Sequence, residues 1–400
     1  MKSRVNRKDI KCKLVFVVNN AAFFVSHRLP VAVEAQKRGY KVNLITGSPG
    51  SDTLEESAVK RLKEQGVDHY KVAFRSGGMN VFIELYGLVQ LLFLILKLKP
   101  HIIHCASPKG VLYGGIVARL VKVPSLVLAI TGMGYGFTDN AEGGNSVKRS
   151  VVRKVFDIFL GFVYRHRNKK IIVQNLDDKR IVEGFEFIKS NDVCLIQGSG
   201  VNLSYYQNIS FYNKQDIVLL PARMLKDKGV LEFYMAAKKL KLKGCKWRFI
   251  LAGTADYKNP SAISKEVILQ WVSEGVVDWL GNVDNMPELY SRAKIVCLPS
   301  YREGMPKALL EAAAAGCAII TTDVIGCREA IKPGVSGDLV PVKSVNHLAD
   351  SIEVLINNPS VVKMYGKNGQ KLAKEFFDIK VVLKQTLSIY EELNHNVNHS

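Results

Sequence analysis

Acidic residues are scarce in this chain. Asp and Glu total 36 against 56 Lys and Arg, for a formal net charge of +20. A surplus of that size implies a polyanionic partner, namely nucleic acid, anionic lipid or a phosphate-bearing substrate. Long apolar runs are missing too. The nearest to the roughly 18 residues a bilayer requires is Leu85 to Leu96, broken by Gly87 and Gln90, so no segment is expected to span a membrane. Basic residues within 2–13 followed by Leu14 to Val18 imitate a secretory leader. However, Asn19-Asn20 cuts the run and no small-residue cleavage site follows, so 13–18 reads as a buried strand. The seven cysteines are scattered, with no C-x-x-C pair and no zinc-ligand set. They are expected to be buried thiols in a reducing compartment.

What is present points to two globular domains. Four hundred residues exceed one core, and 48% hydrophobic with 23% charged residues excludes a disordered chain. Charge is uneven: residues 1–190 hold 31 basic and 15 acidic side chains, the remainder 25 and 21. The basic surface therefore belongs to the first half.

Short apolar runs without polar alternation, expected of parallel strands buried on both faces, recur at 14–18, 41–46, 102–104, 125–129 and 170–173. Helical stretches at 28–38, 53–65 and 113–121 separate them. The pattern restarts with strands at 217–220, 247–252, 276–280, 295–299 and 318–321, and helices near 229–242, 261–273 and 306–315. This order predicts two Rossmann-like, doubly wound α/β domains, residues 1–197 and 198–380, with a C-terminal helix at about 381–400 packing back on the first. Ligands of such sheets sit in the loops after the strands.

Two of those loops carry chemistry. After the strand ending at Pro299, the string Glu303-Gly304-Met305-Pro306-Lys307-Ala308-Leu309-Leu310-Glu311 opens a helix. Gly304 permits close backbone approach, and Pro306 suits a first helical turn. Free N–H groups and the positive helix end suit a phosphate. Glu303 and Glu311 would repel phosphate but suit sugar hydroxyls, which are donors. Considered alone, they also read as a capping acid and a solvated helix acid. In the loop after strand 217–220, Arg223 and Lys228 could clamp a diphosphate without a metal, or be ordinary surface bases.

Together these strings resemble the family 4 glycosyltransferases of the GT-B fold. Glu303 and Glu311 match the family's E-x7-E pair, and Arg223 and Lys228 its R-x4-K loop. Gly198-Ser199-Gly200-Val201-Asn202 is similar to its GSGVD linker, and Thr321 to Glu329 to its TTDxxGxxE loop. The resemblance implies two Rossmann-like domains facing across a cleft and retaining transfer of a sugar from a nucleotide diphosphate. Arg223 and Lys228 would stabilise the leaving diphosphate, Glu311 would bind the ribose hydroxyls, and Glu303 those of the donor sugar. Gly304, Met305, Pro306, Lys307, Ala308 and Leu309 would bind the donor, with backbone N–H groups near Met305 to Leu309 assisting at the phosphates. No Asp-x-Asp occurs, so neither metal nor cofactor is expected. The chain departs from the family at Asn202, where Asp is usual, and at Ala222, where Gly is common. Asn19-Asn20-Ala21-Ala22 replaces a glycine pair, and Ala106 replaces the second His of H-x-H.

The first half carries the acceptor expectations. An apolar helix near 85–98 ends in Lys97 and Lys99, and a basic, aromatic-bearing segment spans 149–170. Both suit an anionic membrane surface, or equally a core-facing helix with a solvated basic side. The strings at 24–30, 107–110 and 131–137 resemble a bacterial branch building surface polysaccharides such as O-antigen and capsule on undecaprenyl diphosphate. That implies an acceptor near His27, Arg28, His104, Lys109 and Gly132, with His104 also readable as structural. The expected activity is transfer of a hexose or N-acetylhexosamine from a UDP-sugar to a lipid-linked saccharide, by a cytoplasmic enzyme peripheral on the inner membrane face. The alternatives are a UDP-sugar 2-epimerase and, less favoured, a nucleic-acid-binding protein. The latter has no recognition motif to support it.

Overall fold

The computed structural model describes residues 12–48, 52–75, 80–130, 157–207, 209–255, 259 and 261–398. The chain divides into two units. The first comprises residues up to Ile196 together with those from Leu383 on, and the second runs from Gln197 to Val382.

Unit one contains β1 (Cys12–Val18), α1 (Ala21–His27), α2 (Leu29–Lys37), β2 (Tyr40–Ser48), α3 (Asp52–Glu64), β3 (Asp68–Arg75), α4 (Val81–Leu98) and β4 (Ile102–Ala106). There follow α5 (Gly115–Leu120), β5 (Ser125–Ile130), α6 (157–164), β6 (Lys169–Val173), α7 (Leu176–Glu183) and β7 (Val193–Leu195). Among the described residues its strands form one parallel seven-stranded sheet, ordered β3-β2-β1-β4-β5-β6-β7. Leu14 of β1 lies opposite Val42 on one side and Ile102 on the other. Successive residues of β1 enter opposite layers. Val15 and Val17 pack with Leu91 of α4, Val117 of α5 and Val163 of α6. Phe16 meets Phe24 and His104 on the other face. Each such side chain contributes about 1.5–3 kcal/mol by leaving water, which explains why these strands read as unbroken apolar runs.

Unit two contains β8 (Gln215–Pro221), α8 (Val230–Leu242), β9 (Arg248–Ala252), α9 (Lys265–Ser273), β10 (Asp278–Trp279), α10 (Met286–Arg292), β11 (Ala293–Leu298) and α11 (Lys307–Ala314). It continues with β12 (Ala318–Thr322), β13 (Gly337–Val340), α12 (Val345–Asn357) and α13 (Pro359–Leu372). Its parallel sheet is ordered β10-β9-β8-β11-β12-β13. Val218 and Leu220 enter one core while Ile217 and Leu219 enter the other. The last helix, α14 (Ile379–Asn398), begins in unit two and groups with unit one from Leu383 on. There the Tyr390 hydroxyl lies 2.6 Å from His104 Nδ1, and Lys170 pairs with Glu392 at 2.6 Å.

The α/β architecture with two parallel sheets agrees with the sequence pattern. Differences concentrate at sheet edges. β3, β7 and β13 were not expected; each is an edge strand, and β3 mixes Asp68, His69 and Lys71 among its apolar residues. The strand expected over 276–280 shrinks to two residues. Helix α9 starts at Lys265 rather than 261, because the Ser264 hydroxyl accepts from Val267 N and sets the N-terminus there. Helix α1, also unexpected, is capped by Asn20, whose side chain accepts from Phe23 N at 2.8 Å. Helix α4 runs unbroken through Gly87 and Gln90. A Cβ on Gly87 would lie 2.6 Å from Phe74 N, so the glycine lets the helix close on β3. The Gln90 side chain accepts from Ala73 N at 2.8 Å. The resulting 18-residue helix is long and apolar enough to cross a membrane by length and composition, which corrects the expectation that no segment qualifies. It is nonetheless the crossover from β3 to β4 of one sheet, with Leu91 and Ile95 in the core.

Candidate active site

Strand order in unit two reverses between β8 and β11, which are hydrogen-bonded neighbours. The helices that follow them pack on opposite faces of the sheet, and the carboxyl edge at such a reversal is where sheets of this kind take their ligands. The Arg223–Lys228 segment follows β8 and the Ser300–Pro306 segment follows β11, so two stretches far apart in sequence are brought side by side. Glycines allow the contact. Gly229 (φ +70°) has no room for a Cβ against the Pro299 carbonyl. Gly326 (φ +82°), in the loop after β12, presses on the carbonyls of Glu303 and Gly304.

An ion pair sits at the junction. Lys228 Nζ lies 2.5 Å from Glu303 Oε1, with the two side chains only 19% and 13% exposed. The Ser300 hydroxyl donates to the same Oε1 at 2.8 Å, and the buried Thr322 hydroxyl donates to the Ser300 carbonyl. The Tyr301 N–H donates to the Asp227 carbonyl at 2.9 Å, tying one loop to the other. The Tyr301 hydroxyl donates to Glu232 Oε1 at 2.6 Å. Burial, with Glu232 adding to it, raises the Tyr301 hydroxyl above its ordinary range. Arg223 lies exposed in the same loop as Lys228.

Glu311 is about two turns into α11. Lys307 Nζ is 3.5 Å from its Oε1, and the Tyr290 hydroxyl donates to the carboxylate. Burial holds the Glu311 carboxyl above its usual range, with Lys307 and Tyr290 pulling it down. Pro306 is the N-cap residue of α11, and no side chain caps that end. The Leu309 N–H already donates to the Pro306 carbonyl at 2.9 Å, and Pro306 has no N–H. The expected row of phosphate donors from Met305 to Leu309 is therefore shorter than the sequence suggested. The Met305 and Leu309 side chains are buried at 8% and 0% exposure and serve the core; Lys307 and Ala308 are half-buried.

In unit one the sheet order reverses between β1 and β4. Asn19 N donates to the Ser107 hydroxyl at 2.9 Å, and that hydroxyl donates to Asn19 Oδ1 at 2.8 Å. Lys109 Nζ lies 2.7 Å from Glu84, which also accepts from the Tyr113 hydroxyl at 2.9 Å. His27 stacks on Phe23 at the end of α1. Arg28 and His104 are buried, and among the described residues their Nε and Nε2 atoms have no hydrogen-bond partner. Burial lowers the Arg28 guanidinium to about 10. Burial and then Arg28 keep His104 well below the imidazole range, so it is neutral. Gly132 and the basic residues 149–154 lie outside the described residues.

Sequence reasoning missed Ser300, Tyr301, Tyr290 and Glu84. Ser300 and Tyr301 stand in the loop already singled out, and a polar residue directly after a buried strand was an available signal. Tyr290 and Glu84 reach their partners only through tertiary packing, with no local sign.

Residues 205–372 match the family model described as glycosyl transferases group 1, and residues 13–175 that described as glycosyl transferase 4-like. A Campylobacter jejuni protein named N,N'-diacetylbacillosaminyl-diphospho-undecaprenol alpha-1,3-N-acetylgalactosaminyltransferase is 27% identical over 96% of this chain and 100% of its own. An Escherichia coli UDP-Gal:alpha-D-GlcNAc-diphosphoundecaprenol alpha-1,3-galactosyltransferase is 22% identical over 88% of this chain and 89% of its own. Among solved structures, Anabaena HepE in complex with UDP and glucose superposes with a TM-score of 0.70 at 17% identity, covering 95% of this chain and 100% of that one. The fold is therefore GT-B.

Proposed function

We propose, from the premise that this chain belongs to the glycosyl transferases matched along both its halves, that it is a retaining enzyme moving a hexose or N-acetylhexosamine from a UDP-sugar to a lipid-linked saccharide. The supporting observation is the Lys228–Glu303 pair at the β8/β11 switch point, with Arg223 in the same loop. As the bond from the sugar C1 to the diphosphate breaks, negative charge gathers on the departing phosphate oxygen. Arg223 and Lys228 would stabilise that charge, and cations fixed in advance need no reorganisation as it develops. Glu303, with Oε1 held by Lys228 and Ser300, would offer Oε2 to a hydroxyl of the donor sugar. Glu311 would accept from the ribose hydroxyls. N–H groups of the loop entering α11 would assist at the phosphates.

The acceptor is proposed to be a saccharide on polyprenyl diphosphate, in bacterial surface polysaccharide synthesis. Support comes from the names of relatives that span nearly the whole chain and from the basic excess of the first half. Lys109 and His27 stand in loops or helix ends of unit one suited to its diphosphate, and such an enzyme would work at the inner face of the cytoplasmic membrane.

The test incubates the purified chain with UDP-sugars, with and without a polyprenyl-diphosphate-linked sugar and EDTA. Acceptor-dependent, chelator-insensitive UDP release is expected. Sugar interconversion without acceptor, as an epimerase would show, overturns the reading.

A further inference from the structure

Helix α4 exposes apolar side chains where a core helix would show polar ones. Phe82 is 84% exposed and Phe93 66%, and Leu85, Tyr86, Val89 and Leu96 also face outward. At about 100° per residue these six positions fall within an arc of about 100°, running about 21 Å along the helix. No charged residue interrupts the arc. The opposite side, with Glu84, Gly87, Leu91 and Ile95, is buried against unit one. The stripe is therefore a second apolar face on a helix whose first is already satisfied, and it is larger than scattered surface residues would make.

Neighbouring elements expose apolar residues as well. α5 and α6 share a core layer with α4 and expose Leu120, Ile158 and Phe159. Between residues 80 and 130 the sequence holds a single acid, Glu84, against Lys97, Lys99, Lys109, Arg119 and Lys122. That acid is buried beneath the stripe and neutralised by Lys109 at 2.7 Å.

We infer that the outer face of α4 is a docking surface for an anionic lipid bilayer, with the helix lying in the interface plane. An apolar stripe along the helix that carries Phe82, Tyr86 and Phe93 and leads into Lys97 and Lys99 matches the acyl boundary and headgroups of such a membrane. A second copy of the chain fits less well, because it would bring together two copies of a unit whose charge is strongly positive. The Glu84–Lys109 pair has a consequence here that rests on the acceptor proposed above. It ties the docked helix to the loop after β4, so docking sets that loop at headgroup depth, where the diphosphate of a lipid-linked saccharide lies.

The experiment sediments the full chain with vesicles of phosphatidylglycerol and phosphatidylethanolamine. The wild type is expected in the pellet, and Phe82→Glu/Phe93→Glu is expected to partition at least about tenfold less. Phe93→Trp provides a reading that does not depend on a charged variant folding, since Trp247, Trp271 and Trp279 all lie in unit two. Its emission is expected to be quenched by brominated lipid. Equal pelleting of the two proteins, no pelleting of the wild type, or an unquenched Trp reporter overturns the docking surface. So does a dimer that the double variant dissolves without changing vesicle partition. UDP titration of the same preparations separates the two readings: vesicle binding without UDP binding retires the donor assignment and leaves the docking surface standing.

Discussion

Removing either member of the Lys228–Glu303 pair should show in two independent readouts. The side chains are 19% and 13% exposed and 2.5 Å apart, so solvent screens them only partly. Two unit charges at 4 Å attract by about 4 kcal/mol at an effective dielectric near 20, and desolvation returns much of that. Glu303→Ala leaves Lys228 without its close acid, and Lys228→Ala leaves the carboxylate with the Ser300 hydroxyl. Each single variant should lose stability, by less than the roughly 3–5 kcal/mol of a fully buried broken pair. The double variant should be less destabilised than the sum of the singles, with a coupling of about 1–3 kcal/mol in thermal or urea unfolding. Turnover in each single variant should fall at least tenfold, about 1.4 kcal/mol of barrier or more. Near-normal UDP release in both, with additive stabilities, would refute the reasoning.

Arg223→Ala should also lower turnover at least about tenfold, while its exposure leaves the melting temperature nearly unchanged. Glu311→Gln tests the raised carboxyl. A native value above the unfolded one means that its contribution to stability is complete below about pH 4 and is lost as pH rises through the native value. Thermal unfolding should therefore show Glu311→Gln gaining on the wild type from pH 4 to pH 8, and a constant difference would contradict that. Gly326→Ala places a Cβ against the Gly304 carbonyl at a positive φ. It should displace the Glu303 loop and cut turnover about tenfold or more, and normal rates would show the loop contact to be unimportant. Tyr390→Phe removes the hydroxyl on His104 Nδ1 and should cost about 1–3 kcal/mol in unfolding without changing turnover.

How much of this could be read from the chain depended on burial. Strands such as β1 and β8 sit mid-sheet, covered on both faces, and their apolar runs announce them. The edge strand β3 has polar residues mixed in and gives no such signal. The loop with Glu303 and the loop with Lys228 were legible as motifs, but no local pattern shows that a pair 75 residues apart meets at 2.5 Å. That contact follows from the strand order, which puts β8 beside β11. Leu85 to Leu96 looked interrupted because composition cannot show that Gly87 and Gln90 serve the packed side of α4 while the apolar residues face outward. His104 and Arg28 looked like loop chemistry, and their burial appears only once α14 returns to unit one.

The central claim is that two cations and two acids of unit two hold one activated sugar. Calorimetric titration of UDP into the wild type and into Arg223→Ala/Lys228→Ala tests it most directly. Saturable binding that the double variant loses, in the presence of EDTA, is the predicted result. Equal affinity in both proteins would contradict it.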